Sequence, residues 1–407
     1  MADPLKTGLV LSGGGARGAY EVGVLKYIRE ELGGGARFDV YSGSSVGAIN
    51  AAFMAARADK PETQVQDLEK VWLELQIGKH IKYGLLRLLR LPLLLFGRVP
   101  VMGEEITHVA LGESFFDTQE LTRLVHGSTT WHHIADNLRG GHFHALSVTA
   151  TDVHTGNGTV FVMKQGELAV WSSDPRSRAV VTTIQAQHVL ASAAIPFFFP
   201  LVVIAGKVYC DGGMRQTTPI GPALRLGADR LFVVRLKAGK EKPVHFGTKR
   251  AQPSPAFLVG KMFNALFLDQ LDYDLDRLDR INTILAAGEK AFGSVFYDRL
   301  ADVTEAQRGM AWRRVDTLIV EPSQDLGRIA AQLVRDKTWR KGLPWTWRLI
   351  MAYLDSGRPE ESDLLSYLLF DRGYTSRLIE LGYEDAKSHR EKICRFFEGA
   401  GHKVACP

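Results

Sequence analysis

Gly43-Ser44-Ser45-Val46-Gly47 is a G-x-S-x-G pentapeptide that follows a short apolar run and opens into the small, helix-compatible segment Ala48 to Ala56. A serine on a tight turn from strand to helix is held clear of its neighbours, with its hydroxyl exposed. Ser45 is therefore the candidate nucleophile, provided a strand precedes it and a helix follows. Upstream, Gly8 to Leu11 reads as a short apolar strand, and Ala19 to Leu32 sets Val22, Leu25 and Ile28 at helical spacing. Phe38 to Tyr41 is strand-like again. The chain thus opens as a βαβ unit with the serine turn at the end of its second strand.

Further strands are predicted at His144 to Thr149, Thr159 to Met163, Val202 to Ile204, Arg230 to Leu236 and Thr317 to Val320, with helical segments between them. Such alternation indicates a three-layer α/β/α fold around a mostly parallel central sheet. Thr155-Gly156-Asn157-Gly158 supplies a turn for one antiparallel hairpin. Ser254-Pro255 reads as a helix start, and Leu268, Leu271, Leu275, Leu278, Ile281 and Leu285 mark one face of a long helix. Lys237 to Pro253 reads as a surface loop. No internal repeat is visible.

Immediately after the first strand comes Ser12-Gly13-Gly14-Gly15-Ala16-Arg17-Gly18. Its glycines allow backbone conformations that point several N–H groups into one space at a helix N-terminus, an anion cradle. The cradle suits either an oxyanion hole or the phosphate turn of a dinucleotide site, because Gly13, Gly15 and Gly18 satisfy G-x-G-x-x-G. A dinucleotide fold wants an acidic residue at the end of the second strand to hold the ribose. Here Asp39 stands at that strand's beginning and the serine turn at its end. In a parallel sheet both turns lie at the carboxyl ends of adjacent strands, so nucleophile and N–H donors can meet at one reacting carbonyl.

The serine needs a base. Asp211-Gly212-Gly213 follows the run Leu201 to Ile204 and a Gly206-Lys207 turn, which places a carboxylate on a sharp bend. By itself Asp-Gly is simply a turn. A serine–acid–histidine order would instead require a histidine after the acid, where His245, His389 and His402 remain, none in a motif-like setting.

These residues together resemble the patatin-like phospholipases, lipid acyl hydrolases that use a Ser-Asp dyad. Four blocks match in order: Gly13-Gly14-Gly15-Ala16-Arg17-Gly18 with Gly23-Val24-Leu25 after it, Gly43-Ser44-Ser45-Val46-Gly47, Ala191-Ser192-Ala193-Ala194-Ile195-Pro196 running to Phe199-Pro200, and Asp211-Gly212-Gly213. The resemblance implies that Ser45 is the nucleophile, that Asp211 is its direct base, and that backbone N–H groups of Gly14, Gly15 and Ala16 form the oxyanion hole. Gly13, Arg17, Gly18, Gly43, Gly47, Gly212 and Gly213 would support these loops, with Arg17 expected to clamp the glycine loop rather than meet an anionic head group. The resemblance covers core motifs in 6–236 of an acyl hydrolase domain placed at 1–325, and the last part of the chain reads from its own residues as a C-terminal helical extension over 326–407. After Asp-Gly-Gly, members often carry an asparagine-rich turn, whereas this chain has Gln216-Thr217-Thr218-Pro219. That departure bears on substrate preference more than on the dyad. No cofactor, metal or calcium requirement is expected, and the aspartate should sit in a poorly solvated place that raises its basicity.

Composition fits this class. The 407 residues carry a formal charge of +5 and a sequence pI near 9.0, a mild excess that suits an anionic membrane surface. No dense Lys/Arg run supports nucleic-acid binding. Cys210, Cys394 and Cys406 fit no metal-ligand spacing and read as reduced thiols. The start of the sequence lacks the layout of a signal peptide, and no apolar run reaches the roughly 18 residues of a membrane span. A cytoplasmic protein, peripheral at the membrane, is the expectation.

The leucine-dense, arginine-bearing stretch over residues 84–98, interrupted by Pro92, suits a membrane interface or a lid. Phe197 to Phe199 could line an acyl pocket, with core packing as the alternative. Trp345, Trp347 and Leu364 to Phe370 read as helices packed on the sheet, with membrane docking or self-association into a homo-oligomer as alternatives. The leading expectation is a phospholipase A or lysophospholipase. The alternatives are a general carboxylesterase or triacylglycerol lipase, and a catalytically silent lipid-binding protein.

Overall fold

Five buried residues, Thr7–Leu11, form β1 near the middle of the sheet, and the rest of the sheet is laid against this strand. The computed structural model describes residues 5–77, 79–80, 82–83, 116–117, 119–168, 171, 177–239, 260–265, 270–344, 347–348 and 363–399. The other strands are β2 (Val40–Ser44), β3 (Ala145–Asp152), β4 (Gly158–Lys164), β5 (Ser177–Val181), β6 (Val202–Ile204), β7 (Lys207–Asp211), β8 (Arg230–Val234) and β9 (Asp316–Val320). They run in the order β9-β8-β1-β2-β3-β4-β5, with β7 paired to the far end of β3 and β6 to β7. Neighbours from β9 to β3 are parallel, while β3 and β4 form the antiparallel hairpin expected around Asn157. Lys82–Tyr83 and Phe116–Asp117 make a separate two-stranded pair.

The helices are α1 (Ala19–Leu32), α2 (Val46–Ala56), α3 (Gln64–Glu74), α4 (Gln119–Ser128), α5 (Trp131–Arg139), α6 (Ala186–Ser192) and α7 (Ile220–Arg225), then α8 (Gln270–Phe292), α9 (Ser294–Arg308), α10 (Leu326–Arg335), α11 (Lys337–Gly342), α12 (Asp363–Leu368), α13 (Arg372–Ser388) and α14 (Arg390–Glu398). Strand side chains alternate between two buried clusters, as the pleat requires. Leu9, Leu11, Tyr41, Phe232 and Val234 face a large cluster shared with α1, α2, α3, α13 and α14. Val10, Val40, Leu231 and Val233 face a smaller one closed by α7 and α8. The result is a three-layer α/β/α molecule with a mostly parallel sheet.

C-terminal helices belong to the larger layer. Phe397 of α14 packs edge-on against Phe38 and stacks on Phe232, and Phe396 meets Phe232 edge-on, at centroid distances of 5.5 to 6.0 Å. Burying each such ring contributes roughly 1.5–3 kcal/mol. Helices α1 and α13 cross in backbone contact, because a Cβ on Gly23 would lie 1.9 Å from the Ile379 carbonyl oxygen. Trp347 and Leu364 to Phe370 are buried, so they face the core rather than a second molecule or a membrane.

Several sequence readings shift in detail. Strand β2 begins at Val40 and runs on to Ser44, and β5 and β7 have no counterpart among the predicted strands. Cys210 is a buried free thiol, but Cys394 is disulfide-bonded, which corrects the expectation of three reduced cysteines. The Ser254-Pro255 helix start, Leu268, the stretch over residues 84–98, Trp345, His245 and His402 lie outside the described residues.

Candidate active site

Sheet register brings the sequence motifs together. Ser44 at the end of β2 pairs with Thr149, and Asp211 at the end of β7 pairs with the next residue, Ala150. Leu11, from which the glycine loop departs, pairs with Gly43. Four chain segments therefore converge at one end of the central strands.

Ser45 sits between β2 and α2 with φ 53° and ψ −127°, a conformation that costs a non-glycine residue about 1–3 kcal/mol. The turn closes tightly enough that a Cβ on Gly43 would lie 2.3 Å from the Gly47 carbonyl oxygen, and one on Gly47 2.4 Å from that of Leu11. Three hydrogen bonds hold the strained residue. Its N–H donates to Ser192 Oγ (2.8 Å), Ser192 Oγ donates to the Thr149 carbonyl (2.5 Å), and the Ser45 carbonyl accepts from Ala48 N (3.0 Å).

Ser45 Oγ donates to Asp211 Oδ2 at 2.5 Å. The other carboxylate oxygen accepts from Gly213 N (2.7 Å), while the Asp211 main chain is fixed by Ala194 O (2.9 Å) and Thr151 Oγ1 (2.9 Å). Asp211 is fully buried. Burial pushes its carboxyl up to about 7, against the smaller opposing pull of the bonds from Ser45 and Gly213.

In the glycine loop, Gly13 N donates to the Thr217 carbonyl (2.9 Å) and Arg17 N to that of Gly14 (3.2 Å). The N–H groups of Gly14, Gly15 and Ala16 make no hydrogen bond among the described residues. A Cβ on Gly13 would stand 3.0 Å from that of Ser45, so loop and serine are in contact. Beside them opens a cavity of about 320 Å³, walled by Ile49, Phe53, Trp72, Phe199 and Phe370 and reaching Ser45 and Gly15. No Asp, Glu, Lys or Arg side chain lines it among the described residues.

The sequence signature described as patatin-like phospholipase matches residues 9–224, more than half of the chain. The chain belongs to the patatin-like phospholipase family. Within that matched span lie the glycine loop, Ser45, Ser192 and Asp211 of this patatin-like chain. A lysophospholipase, nte1, of Aspergillus terreus is 50% identical over 52 residues, which is 13% of this chain and 3% of that protein. The crystal structure of VipD from Legionella pneumophila aligns with 13% identity and a TM-score of 0.35, covering 95% of this chain and 66% of that one. This patatin-like chain therefore spans a small fraction of the first relative and just under two thirds of the second.

Among the described residues, neither Ser45 nor Asp211 bonds an imidazole, and His389 Nδ1 lies 2.9 Å from the Asp385 carbonyl oxygen on α13. The dinucleotide alternative fails on Asp39, whose carboxylate accepts from Thr7 N (2.9 Å) and pairs with Arg37 (3.3 Å). Among the described residues, the one group able to surround a metal ion, His132, His133 and Asp136, shares no residue with the cavity wall.

Two contributors went unassigned in the sequence. Ser192 lies in a quoted block, but its role as acceptor for the Ser45 N–H depends on how α6 packs. Glu21 is fully buried and accepts from Ser12 N (2.8 Å) and Asn50 Nδ2 (2.8 Å), while Asn50 Oδ1 accepts from Trp72 Nε1 (2.9 Å). This chain of bonds ties the start of the glycine loop to α1, α2 and the α3 wall of the cavity. Burial holds the Glu21 carboxyl well above the usual carboxylate range, outweighing its bonds to Asn50 and Ser12. A lone glutamate among Tyr20, Val22 and Val24 was its only sequence signal.

Proposed function

We propose that this protein hydrolyses carboxylic ester bonds of lipids through Ser45 and Asp211. The observation that carries this reading is the 2.5 Å Ser45–Asp211 hydrogen bond, with Ser45 lining a largely apolar cavity. Asp211 takes the serine proton as Oγ attacks the ester carbonyl, and the uncommitted N–H groups of Gly14, Gly15 and Ala16 stabilise the oxyanion that forms. The intermediate expels the alcohol, which leaves with the proton, and the acyl group stays on Ser45. Water then attacks the acyl-enzyme by the same route and the fatty acid departs. Serine, carboxylate and backbone donors suffice for these steps. The cavity takes the hydrocarbon chain, for its wall is mostly aliphatic and aromatic.

Phospholipase A or lysophospholipase action is the leading form, supported by family membership and by the name of the Aspergillus relative. A carboxylesterase or triacylglycerol lipase is the second form, favoured by the absence of any Lys or Arg on the described cavity wall to meet a phosphate. The net charge of +5 and the leucine-arginine stretch over residues 84–98 support peripheral attachment to an anionic membrane from the cytoplasmic side. No described helix is long and apolar enough to cross a membrane.

The test is acyl release from phosphatidylglycerol vesicles and from a short p-nitrophenyl ester, in chelator, by wild type, Ser45→Ala and Asp211→Asn. Both variants should lose at least about a thousandfold in kcat while keeping the wild-type circular dichroism. Release from vesicles establishes the phospholipase, and release from the soluble ester alone establishes the esterase. Release from neither supports a silent lipid-binding protein and defeats the proposal.

A further inference from the structure

Building on the hydrolase reading above, we infer that Asp363 and Ser366 are positioning residues for the oxyanion loop: they hold Arg17, and through it the Gly14–Ala16 backbone, where the tetrahedral intermediate requires it. Arg17 is buried to 3% exposure in the middle of the glycine loop. Its Nε donates to Ser366 Oγ at 2.7 Å, and its Nη2 lies 3.4 Å from Asp363 Oδ1. The guanidinium also lies 4.1 Å from the centroid of the Tyr367 ring. All three partners belong to α12, some 350 residues along the chain from Arg17.

The same helix presses on the loop directly. A Cβ on Gly15 would stand 2.2 Å from the Tyr367 carbonyl oxygen, and Gly15 has φ +57°, a backbone state that few side chains tolerate. Ser366 is itself fixed, donating to the Asp363 carbonyl at 2.5 Å, and Asp363 Oδ2 is 2.8 Å from Lys261 Nζ. A loop of three consecutive glycines has little stiffness of its own, so a guanidinium fork anchored in a rigid helix supplies it. An ester carbonyl in the ground state carries little charge, whereas the tetrahedral oxyanion carries a full one. Slackening the loop therefore weakens the transition state and leaves substrate binding nearly intact.

Ser366→Ala and Asp363→Asn test this, assayed on a p-nitrophenyl ester and on the matching thionoester, whose sulfur accepts N–H bonds poorly. Each variant should lose about 10- to 100-fold in kcat with KM within about 3-fold of wild type. Their oxygen-over-sulfur preference should fall about 10-fold, because that ratio reads the quality of the N–H contacts. Arg17→Lys, which keeps the charge and loses the fork, should behave the same way. Thermal melts normalise each rate to folded protein, and isosteric Asp363→Asn carries the test should Ser366→Ala fail to fold. A lowered melting temperature with unchanged kcat and unchanged oxygen-over-sulfur preference would reduce α12 to a structural prop and overturn the inference alone. Absence of Ser45-dependent turnover in wild type would overturn the hydrolase reading together with it.

Discussion

Burial and basicity meet at Asp211. A carboxylate at its ordinary value of 3.8 is a weak base, and burial lifts this one to about 7. In the proposed mechanism its ionised form accepts the serine proton, so kcat/KM should rise tenfold per pH unit below about 7 and level off above it. A profile flat from pH 5 to pH 9 would contradict the assignment. The same shift acts on stability with a definite sign. Between pH 3.8 and about 7 the folded protein binds a proton at Asp211 that the unfolded chain has released, so stability falls as pH rises through this window. Above it the folded state bears the whole penalty, on the order of a few kcal/mol. Asp211→Asn should accordingly melt higher than wild type at pH 8, with the difference shrinking by pH 5. Equal melting temperatures at both pH values would show that the carboxylate is not held in strain.

Among the elements, the crossing of α1 and α13 has the least room for change. Gly23→Ala must push its new methyl into the Ile379 carbonyl, and overpacking of this kind costs about 1–3 kcal/mol or more. Chemical denaturation should show that loss, and an unchanged midpoint would mean the helices separate freely. The elements legible in the sequence were those with local signals. Strand β1 announced itself by an apolar run, α1 by helical spacing, and the turns at Ser45 and Asp211 by their glycines. Strand β5 stayed hidden because its residues are half-exposed at the edge of the sheet, so apolar and polar positions do not alternate along it. Ser192, Asp363 and Ser366 could not be read because their partners, Ser45 and Arg17, lie 147 to 349 residues away. Long-range pairing leaves no mark on the local pattern.

At the scale of the whole molecule, the cavity is a joint product of α2, α3, α4, α6 and Phe370, two residues past the end of α12. Leu124→Trp on α4 should fill part of it and shift the preferred ester toward shorter acyl chains, lowering long-chain relative to short-chain turnover at least about 10-fold. An unshifted chain-length profile would place the acyl chain elsewhere. Vesicle attachment driven by the +5 charge should weaken when salt is raised from about 50 to about 500 mM, which flotation measures. The 349-residue span between Arg17 and Ser366 also sets a timetable for the newborn chain. Synthesis runs from the N-terminus, so strands β1 to β8, with Ser45 and Asp211 among them, leave the ribosome before α12 does. At about 5–20 residues per second, the roughly 130 residues separating β8 from α12 take about 7–26 s to emerge. Throughout that interval, on the reading proposed above, the nascent polypeptide carries Ser45 and Asp211 but an unbraced loop, so its turnover should stay about 10- to 100-fold below that of the finished chain until α12 emerges.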